Sequence, residues 1–217
     1  MVSSINAQAA KLIYLTRFNC HKMSAREHFA RFFFALLLFS CAGLPSACGP
    51  STGSGGATAQ QASGIDEDEL IARLSVELIP SPATQAEVER NAIVNYAIDQ
   101  LLDVRPTASG LFVQIVDAGQ AGRQLQWGQK AKAHYTGQLL DGRVFDSSHR
   151  RGQPIAFVVG NMVQGWNEGV QMLAPGGKAI LLVPSALAYG ETGITGPGGQ
   201  TVIPPNTPLR FDVEVLE

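Results

Sequence analysis

The chain has 217 residues with a formal net charge of −2, which allows one sizeable domain with appendages. The near-neutral charge excludes a strongly basic surface of the kind that binds nucleic acids. Charged residues make up only 16% of the chain, and the 23 glycines and 12 prolines are typical of a turn-rich globular fold.

The N-terminal residues have the pattern of an export signal. Arg26 and Arg31 precede or flank an apolar run over residues 32–39, and small residues follow it. The run is shorter than the roughly 20 residues that a transmembrane helix needs. We therefore expect residues 1–48 to be an export segment, with Met23 as the candidate true start. The polar, Gly- and Ser-rich residues 49–64 are then expected to form a flexible tether.

The placement of the cysteines indicates a lipid anchor. The three cysteines are Cys20, Cys41 and Cys48, all within the export segment. Ser46-Ala47-Cys48 resembles the lipobox of bacterial lipoproteins, in which the cysteine becomes the lipidated first residue. The resemblance implies lipidation at Cys48, with Cys41 as the alternative site, and a location in the cell envelope or periplasm, anchored to a bacterial membrane. A plain secretory signal with an incidental cysteine is the competing interpretation.

Two amphipathic helices are expected between residues 65 and 105. Acidic residues at 66–69 suit the N-terminus of the first helix, and the prolines at 80 and 82 end it. Apolar residues at helical spacing over residues 86–102 predict the second helix. The apolar stripe either packs on the C-terminal domain or pairs two copies of the chain into a homodimer.

From Ser109 onward, the apolar pattern changes from helical to alternating. Runs of strand length cover residues 111–116, 130–139, 143–145, 154–159, 179–183 and 209–216, with Asp141-Gly142 as a hairpin signal. One helix is expected at residues 163–173, because apolar residues recur there at spacings of three and four. No other segment of this part has a helical pattern. The sequence thus predicts an α+β fold in which an antiparallel sheet packs around this helix and buries Trp166.

The familiar catalytic residue sets are missing from the sequence. Beyond the export segment there is no cysteine to act as a nucleophile, no Gly-rich loop leading into a helix, and no metal-ligand spacing. His134 lies on the same face of the predicted strand as Lys130 and Lys132, so we expect it to face solvent rather than to bind a metal. The sequence predicts neither a metal nor a cofactor.

Aromatic residues are the conspicuous feature of this domain. They stand at strand and turn ends as well as within strands: Tyr135, Phe145, Phe157, Trp166, Tyr189 and Phe211. They are either ordinary core residues or the lining of one apolar pocket. The position of Phe145-Asp146 beside a hairpin, and of Tyr189 before a Gly-rich loop, favours the pocket. Such a pocket, with few polar groups, suits an apolar ligand such as a proline ring.

Seven motifs, in one order, carry a resemblance to a known family. They are His134-Tyr135-Thr136-Gly137, Asp141-Gly142, Phe145-Asp146-Ser147-Ser148, Gly165-Trp166-Asn167-Glu168-Gly169, Leu187-Ala188-Tyr189-Gly190, Ile203-Pro204-Pro205 and Leu209-Arg210-Phe211-Asp212-Val213-Glu214. Their order and spacing resemble the FKBP-type peptidyl-prolyl isomerases over residues 111–217. The export signal and the helices resemble those of exported bacterial FKBP lipoproteins.

The resemblance implies both a fold and an activity. The fold is an FKBP-like antiparallel half-barrel sheet wrapped around one short helix, with the isomerase domain at residues 108–217 and a helical segment before it. The activity is acceleration of X-Pro bond rotation in exported proteins. The implied partners are proline-containing polypeptides and macrolide inhibitors, besides the membrane through the lipid anchor.

The resemblance also implies which residues form a proline pocket. Trp166 is its floor, and the walls and rim are Tyr135, Phe145, Phe157, Phe211, Met162, Val163 and Ile203. Catalysis is assigned to the polar pair Asp146 and Tyr189 together with Phe145. The Tyr189 hydroxyl and the backbone amide of Ile203 donate to carbonyl groups of the bound ligand, while Asp146 lies against the susceptible amide.

Some points remain open or depart from the family pattern. Asp146 either acts on the amide or bonds the serine turn that follows it, and Arg151 either pairs with Asp146 or is solvated. Ile155 stands where the family often has Phe, and the loop over residues 190–203 is longer than usual. A non-catalytic module that binds proline-containing peptides, or a chaperone, is the alternative function.

Overall fold

The structure is a computed structural model that describes residues 66–216. The predicted export segment 1–48, with Cys48, and the tether 49–64 lie outside the described residues. The elements are α1 Glu67–Ser75, α2 Gln85–Asp99, β1 Arg105–Pro106, β2 Phe112–Asp117, β3 Lys130–Leu139, β4 Val144–Ser147, α3 Ser148–Arg151, β5 Ile155–Val158, α4 Gln164–Val170, β6 Lys178–Val183, a 3-10 helix Ser185–Leu187, β7 Ile194–Thr195, β8 Thr201–Ile203 and β9 Leu209–Val215. None of the described helices is long and apolar enough to span a membrane.

Seven strands form one antiparallel sheet. Its order is β1-β2-β6-β9-β3-β4, with β5 also paired to β3, while β7 and β8 make a separate ribbon. β3 is central because its ten residues pair with β9, β4 and β5. Buried and half-buried residues alternate along β9, so one face of the sheet carries the core. The α+β fold that the sequence predicts is confirmed.

Helix α4 packs on the core face of the sheet at close range. A Cβ atom on Gly165 would lie 2.4 Å from Val183 Cγ1, so glycine is what allows this approach. Trp166, the next residue, is only 1% exposed. The prediction of a helix that buries Trp166 within residues 163–173 is confirmed, although the helix proper is the shorter segment Gln164–Val170.

Helices α1 and α2 form where the sequence predicts them. The Asp66 side chain caps α1 by accepting a hydrogen bond from the backbone N–H of Asp68 at 3.0 Å. Thr84 and Glu87 form a capping box at the start of α2. The apolar stripe is buried within one chain and consists of Leu70, Leu74, Ile93, Val94, Ala97 and Ile98.

The stripe packs against the C-terminal domain, on the face of the sheet opposite α4. Phe112 on β2 is fully buried there, and the guanidinium carbon of Arg90 lies 5.4 Å from its ring centroid. Arg210 on β9 donates a hydrogen bond to the Tyr96 hydroxyl at 3.0 Å. Of the two alternatives for the stripe, the structure shows packing within the chain for its buried members, whereas Val88 and Leu101 of the same run are 48% and 40% exposed.

Two short helices correct the sequence analysis, which expected α4 to be the only helix of this part. Helix α3 is a single turn, capped by the Ser147 hydroxyl. Ser148 is fully buried, and its hydroxyl bonds both the N–H and the carbonyl of Tyr135. The 3-10 turn Ser185–Leu187 is equally short. Tertiary contacts stabilise such single turns, so periodicity does not reveal them.

Gly165→Ala should lower the free energy of unfolding by about 1–3 kcal/mol through overpacking. The added methyl group meets Val183, a fully buried, β-branched side chain with a single side-chain torsion. The better helix propensity of alanine, worth about 1 kcal/mol, does not offset this clash. Urea denaturation measures the difference. The control is Gln164→Ala at the exposed neighbouring residue, which should change the free energy of unfolding by less than about 0.5 kcal/mol. Equal changes in the two variants would contradict the close packing of Gly165.

Candidate active site

Three aromatic rings surround Trp166 and meet it edge to face. The centroid distances to Trp166 are 5.2 Å for Tyr135, 5.7 Å for Phe157 and 5.6 Å for Phe211, with interplanar angles of 80°, 84° and 86°. Aromatic pairs prefer this arrangement because it sets a positive ring edge against a negative ring face. The rings come from β3, β5 and β9, which the sheet pairing makes neighbours. The sheet and α4 thus bring together four residues that the sequence assigned to one pocket.

Phe145 adds a fifth ring to this group. It stands half-buried on β4, 5.7 Å from the centroid of Phe211 at an angle of 87°. Gly137 makes room for both rings, because a Cβ atom there would lie 2.6 Å from Phe145 Cζ and 3.0 Å from Phe211 Cε1. We call these five rings the aromatic box: Tyr135, Phe145, Phe157, Trp166 and Phe211.

Asp146 is tied to the box by two hydrogen-bond donors. The Tyr135 hydroxyl and the Arg151 guanidinium both donate to its carboxylate. Arg151 also donates to the Tyr135 hydroxyl at 3.2 Å, and its guanidinium carbon lies 5.6 Å from that ring's centroid. Of the two alternatives for Arg151, the structure shows the pair with Asp146, and the serine turn is bonded by its own Ser147 hydroxyl, which caps α3. The pair is 40% to 41% exposed, so it contributes little stability and chiefly fixes where the carboxylate lies.

The two tyrosine hydroxyls of the site are held in their protonated form. Burial raises the pKa of Tyr135 above its ordinary value of 10.0, and the hydrogen bond to Asp146 raises it further. Burial also raises the pKa of Tyr189, with a smaller contribution from the negative charge of Asp146. A phenol with a raised pKa remains a hydrogen-bond donor throughout the neutral pH range.

The other predicted site residues come from two loops next to the box. Met162 and Val163 lead into α4, and they pack partly buried against the core, as Tyr189 does. Ile203 ends β8 and is 1% exposed, so its side chain is core rather than an exposed rim. Its backbone belongs to the β7–β8 ribbon, opposite Ile194. The Val163 N–H, by contrast, donates no hydrogen bond within residues 66–216.

His134 departs from the expectation of a solvent-facing side chain. It is half-buried, its Nδ1 lies 3.0 Å from the Ser148 hydroxyl, and its ring stacks on His149 at 4.6 Å. The helical turn α3, which the sequence analysis missed, supplies both contacts. In the part of the chain that the structure describes, no three His, Cys, Asp or Glu side chains gather as a metal site.

The residues that form this site lie within a segment that matches a known protein family. Residues 121–216 match the family model described as FKBP-type peptidyl-prolyl cis-trans isomerase. They form an FKBP-type domain. The chain is 44% identical over 115 residues to a probable FKBP-type peptidyl-prolyl cis-trans isomerase of Haemophilus influenzae. The aligned segment covers 53% of this chain and 45% of that protein.

A second relative is the FKBP-type peptidyl-prolyl cis-trans isomerase FkpA of Escherichia coli. The chain is 36% identical to it over 143 residues, which is 62% of this chain and 50% of FkpA. The crystal structure of FkpA from Escherichia coli aligns with a TM-score of 0.53 at 34% identity, over 67% of this chain and 62% of that one. The chain thus spans about half the length of the curated relatives that it matches.

Asn167 is a residue of the FKBP domain that the sequence analysis quoted in a motif without assigning it a role. Its side chain is 5% exposed and accepts from the N–H groups of Gly160 at 2.9 Å and Met162 at 3.3 Å. It also donates to the Met162 carbonyl at 2.5 Å. Asn167 therefore fixes the turn that carries Met162 and Val163 to the box. A buried side-chain amide must have hydrogen-bond partners, and the backbone groups of this turn supply them.

The ionisation of Tyr135 and Tyr189 should report how the site buries them. Both phenols should ionise above pH 10.0, because burial and Asp146 disfavour the phenolate. The unfolded chain releases these protons near about pH 10, whereas the folded chain holds them. Their contribution to stability is therefore complete below pH 10 and is lost as the pH rises through the folded-state values.

Ultraviolet absorbance at alkaline pH measures these ionisations, and denaturant melts at the same pH values measure the stability. Tyr135→Phe and Tyr189→Phe assign the two steps, since each variant should lose one late-ionising phenol. Ordinary ionisation of both phenols in the folded protein would contradict the buried, Asp146-linked site.

Proposed function

We propose that this protein accelerates the cis-trans isomerisation of X-Pro peptide bonds. The observation that carries the proposal is the aromatic box on Trp166, with two protonated tyrosine hydroxyls and the Asp146 carboxylate around it. An apolar, ring-lined site with few polar groups fits a proline ring. The FKBP-type domain, and relatives named as FKBP-type isomerases, support the same activity.

Isomerisation of a prolyl amide needs no nucleophile and no strong acid. Its barrier of about 18–20 kcal/mol comes from the resonance of the C–N bond. The planar amide carries partial negative charge on its oxygen, which water stabilises, whereas the twisted amide carries less. Moving the amide from water into a dry aromatic site therefore favours the twisted state relative to the planar one. Each reduction of about 1.4 kcal/mol in the barrier gives a tenfold faster reaction.

Two hydrogen-bond donors are available to hold the peptide while its prolyl amide rotates. The Tyr135 hydroxyl is committed to Asp146, whereas the Tyr189 hydroxyl makes no hydrogen bond within the described residues. Burial raises the pKa of Tyr189, so this phenol keeps its proton. The Val163 N–H stands at the start of α4 without an acceptor in the described residues. We therefore assign the second peptide carbonyl to Val163, because Ile203 is already part of the β7–β8 ribbon. A main chain held at two points confines the rotation to the amide over the box.

Asp146 sets the electrostatic field beside the amide in this mechanism. Its carboxylate is held by the Tyr135 hydroxyl and by Arg151, so it keeps one position next to the box. A fixed negative group near the carbonyl disfavours the charge-separated planar amide more than the twisted one. Asp146 thus acts through its field and not by transferring a proton.

The setting that we propose is the cell envelope of a bacterium. The export segment, the Cys48 lipobox and the tether 49–64 support a lipid-anchored protein that acts on proline-containing segments of exported polypeptides. A flexible tether of this length has a root-mean-square reach of roughly 20 Å, so the domain would work close to the membrane. Macrolide inhibitors would compete with the peptide for the aromatic box.

A second function is favoured by one observation at the box. Ile155 on β5 is half-buried against the core, where the family often has an aromatic ring. A box with one ring fewer would still bind proline segments, but with a less complete apolar enclosure. In that case the domain would be a binding or chaperone module rather than an efficient isomerase.

An isomerisation assay with an Ala-Leu-Pro-Phe peptide tests the main proposal. The purified protein should raise the rate clearly above the uncatalysed one. Tyr189→Phe removes a peptide donor and Asp146→Val removes the field, so each should lower kcat/KM by roughly three- to tenfold. The control is Lys178→Ala, which breaks an ion pair that lies away from the box. The Lys178 Nζ and Glu214 Oε1 atoms of this pair are 3.0 Å apart, and their loss should leave kcat/KM unchanged.

An uncatalysed rate with the wild-type protein would rule out the enzyme, and unchanged rates in both site variants would rule out their roles. Trp166→Ala separates the two functions. If this variant lacks isomerase activity but still protects a client protein from aggregation, the result favours the binding module.

Lipid attachment is tested by labelling cells that express the protein with a fatty acid. Cys48→Ala should abolish incorporation of the label, because the thiol is the attachment point. Cys41→Ala is the matched control and should be labelled like the wild type. If labelling is lost only in the Cys41→Ala variant, Cys41 is the lipidated residue. If the wild type is not labelled, the segment is a plain secretory signal.

A further inference from the structure

A buried carboxylate connects helix α2 to the FKBP domain. Glu89 is 3% exposed, and its Oε2 accepts from the Ser185 backbone N–H at 2.7 Å. Its Oε1 accepts from the Ser185 hydroxyl at 2.7 Å and from the Gln85 side-chain amide at 2.9 Å. Within residues 66–216, no lysine or arginine makes an ion pair with it. A buried carboxylate without a cation requires such donors, so this contact has one well-defined geometry.

Ser185 is the residue from which the Tyr189 segment starts. It begins the 3-10 turn Ser185–Leu187, and only Pro184 separates it from the end of β6. Its carbonyl accepts hydrogen bonds from the N–H groups of Ala188 and Gly190, each at 2.8 Å. The backbone on both sides of Tyr189 is therefore bonded to Ser185, and the position of Ser185 determines where the Tyr189 side chain begins.

The first turn of α2 also contacts the far end of this segment. The Gln85 amide, which donates to Glu89, lies 3.4 Å from the Asn206 carbonyl. The Asn206 N–H in turn donates to the Gly190 carbonyl at 2.8 Å, beside Tyr189. Helix α2 thus holds the segment at its start through Glu89 and at its end through Gln85.

We propose that Glu89 is a positioning residue for Tyr189, so that the helical segment before the FKBP domain is part of the isomerase site. Glu89 acts through Ser185 and touches no substrate. This inference rests on the proposed function, in which the Tyr189 hydroxyl holds a peptide carbonyl. Two carboxylate oxygens on two donors of one residue fix both the distance and the rotation of Ser185, which a single hydrogen bond would not do.

Three variants of α2 test the proposal by the kinetics of the proline-peptide assay. Glu89→Leu keeps the volume but removes both acceptors, and it should lower kcat/KM roughly tenfold, mostly through a higher KM, because Tyr189 binds planar and twisted peptide alike. Glu89→Gln keeps one oxygen for the Ser185 N–H and an amide for its hydroxyl, so it should stay within about twofold of the wild type.

The matched control lies on the same helix. Tyr96→Phe removes a different hydrogen bond between α2 and the domain, the one to Arg210, which faces away from the box. It should lower the melting temperature as other lost contacts do and leave kcat and KM unchanged. A fall in kcat/KM as large as that of Glu89→Leu would mean that any loosening of α2 affects the site, and would overturn the specific role of Glu89.

A double-mutant cycle tests whether the effect passes through Tyr189. In a Tyr189→Phe background, Glu89→Leu should change kcat/KM by less than about twofold, because the hydroxyl that it positions is already absent. Fully additive effects would overturn the proposal. So would an unchanged kcat/KM in Glu89→Leu alone, provided that the wild type is active.

Hydrogen exchange gives a readout that does not depend on activity. In Glu89→Leu, the amides of Ala188 and Gly190 should exchange faster, while amides in β3 and β9 keep their protection. Unchanged exchange at Ala188 and Gly190 would overturn the positioning of this segment. An inactive wild type would refute the proposed function, and the exchange result would still decide whether Glu89 holds the segment.

Discussion

Trp166 meets three rings edge to face, and this packing requires α4 to lie very close to the sheet. The requirement is met by glycines on the helix face, since a Cβ atom on Gly165 or Gly169 would lie 2.4 Å from Val183 or 2.5 Å from Leu181. Each edge-to-face pair contributes about 0.5–1.5 kcal/mol beyond the buried area. Three pairs are therefore a sizeable part of a total stability of about 5–15 kcal/mol. The core and the candidate site are consequently one structure, and neither can be altered alone.

Because the same aromatic rings form both the core and the candidate site, the polar groups around the box need specific partners. The Tyr135 ring is needed for packing, but its hydroxyl cannot be buried without a partner at acceptable cost. Asp146 and Arg151 supply that partner network at the exposed side of the ring. Tyr189 approaches from another loop, so its hydroxyl is not drawn into the same network. One phenol is thereby bonded within the protein, and in the proposed mechanism the second is the donor to the peptide.

Sequence periodicity predicted the elements whose burial follows a regular spacing. The helix around Trp166 and the alternating last strand belong to this class, and the structure confirms both. The turn Ser148–Arg151 has no period to detect, and without it the sequence could not decide whether Arg151 pairs with Asp146 or is solvated. Glu89 was missed because a glutamate on a helix is solvated by default. Only its contact with a residue 96 positions away, visible in three dimensions, shows otherwise.

Asp146 and Glu89 show that the chain uses carboxylates differently on the two faces of its sheet. Asp146 is 40% exposed and pairs with an arginine, an arrangement that tolerates small displacements at low cost. Glu89 is 3% exposed and is bonded by neutral donors alone, so any displacement leaves buried carboxyl oxygens without hydrogen-bond donors. The rigid carboxylate therefore lies behind the loop of Tyr189, where position matters. The adaptable one lies beside the aromatic box, where in the proposed mechanism its charge would act on a peptide that changes shape.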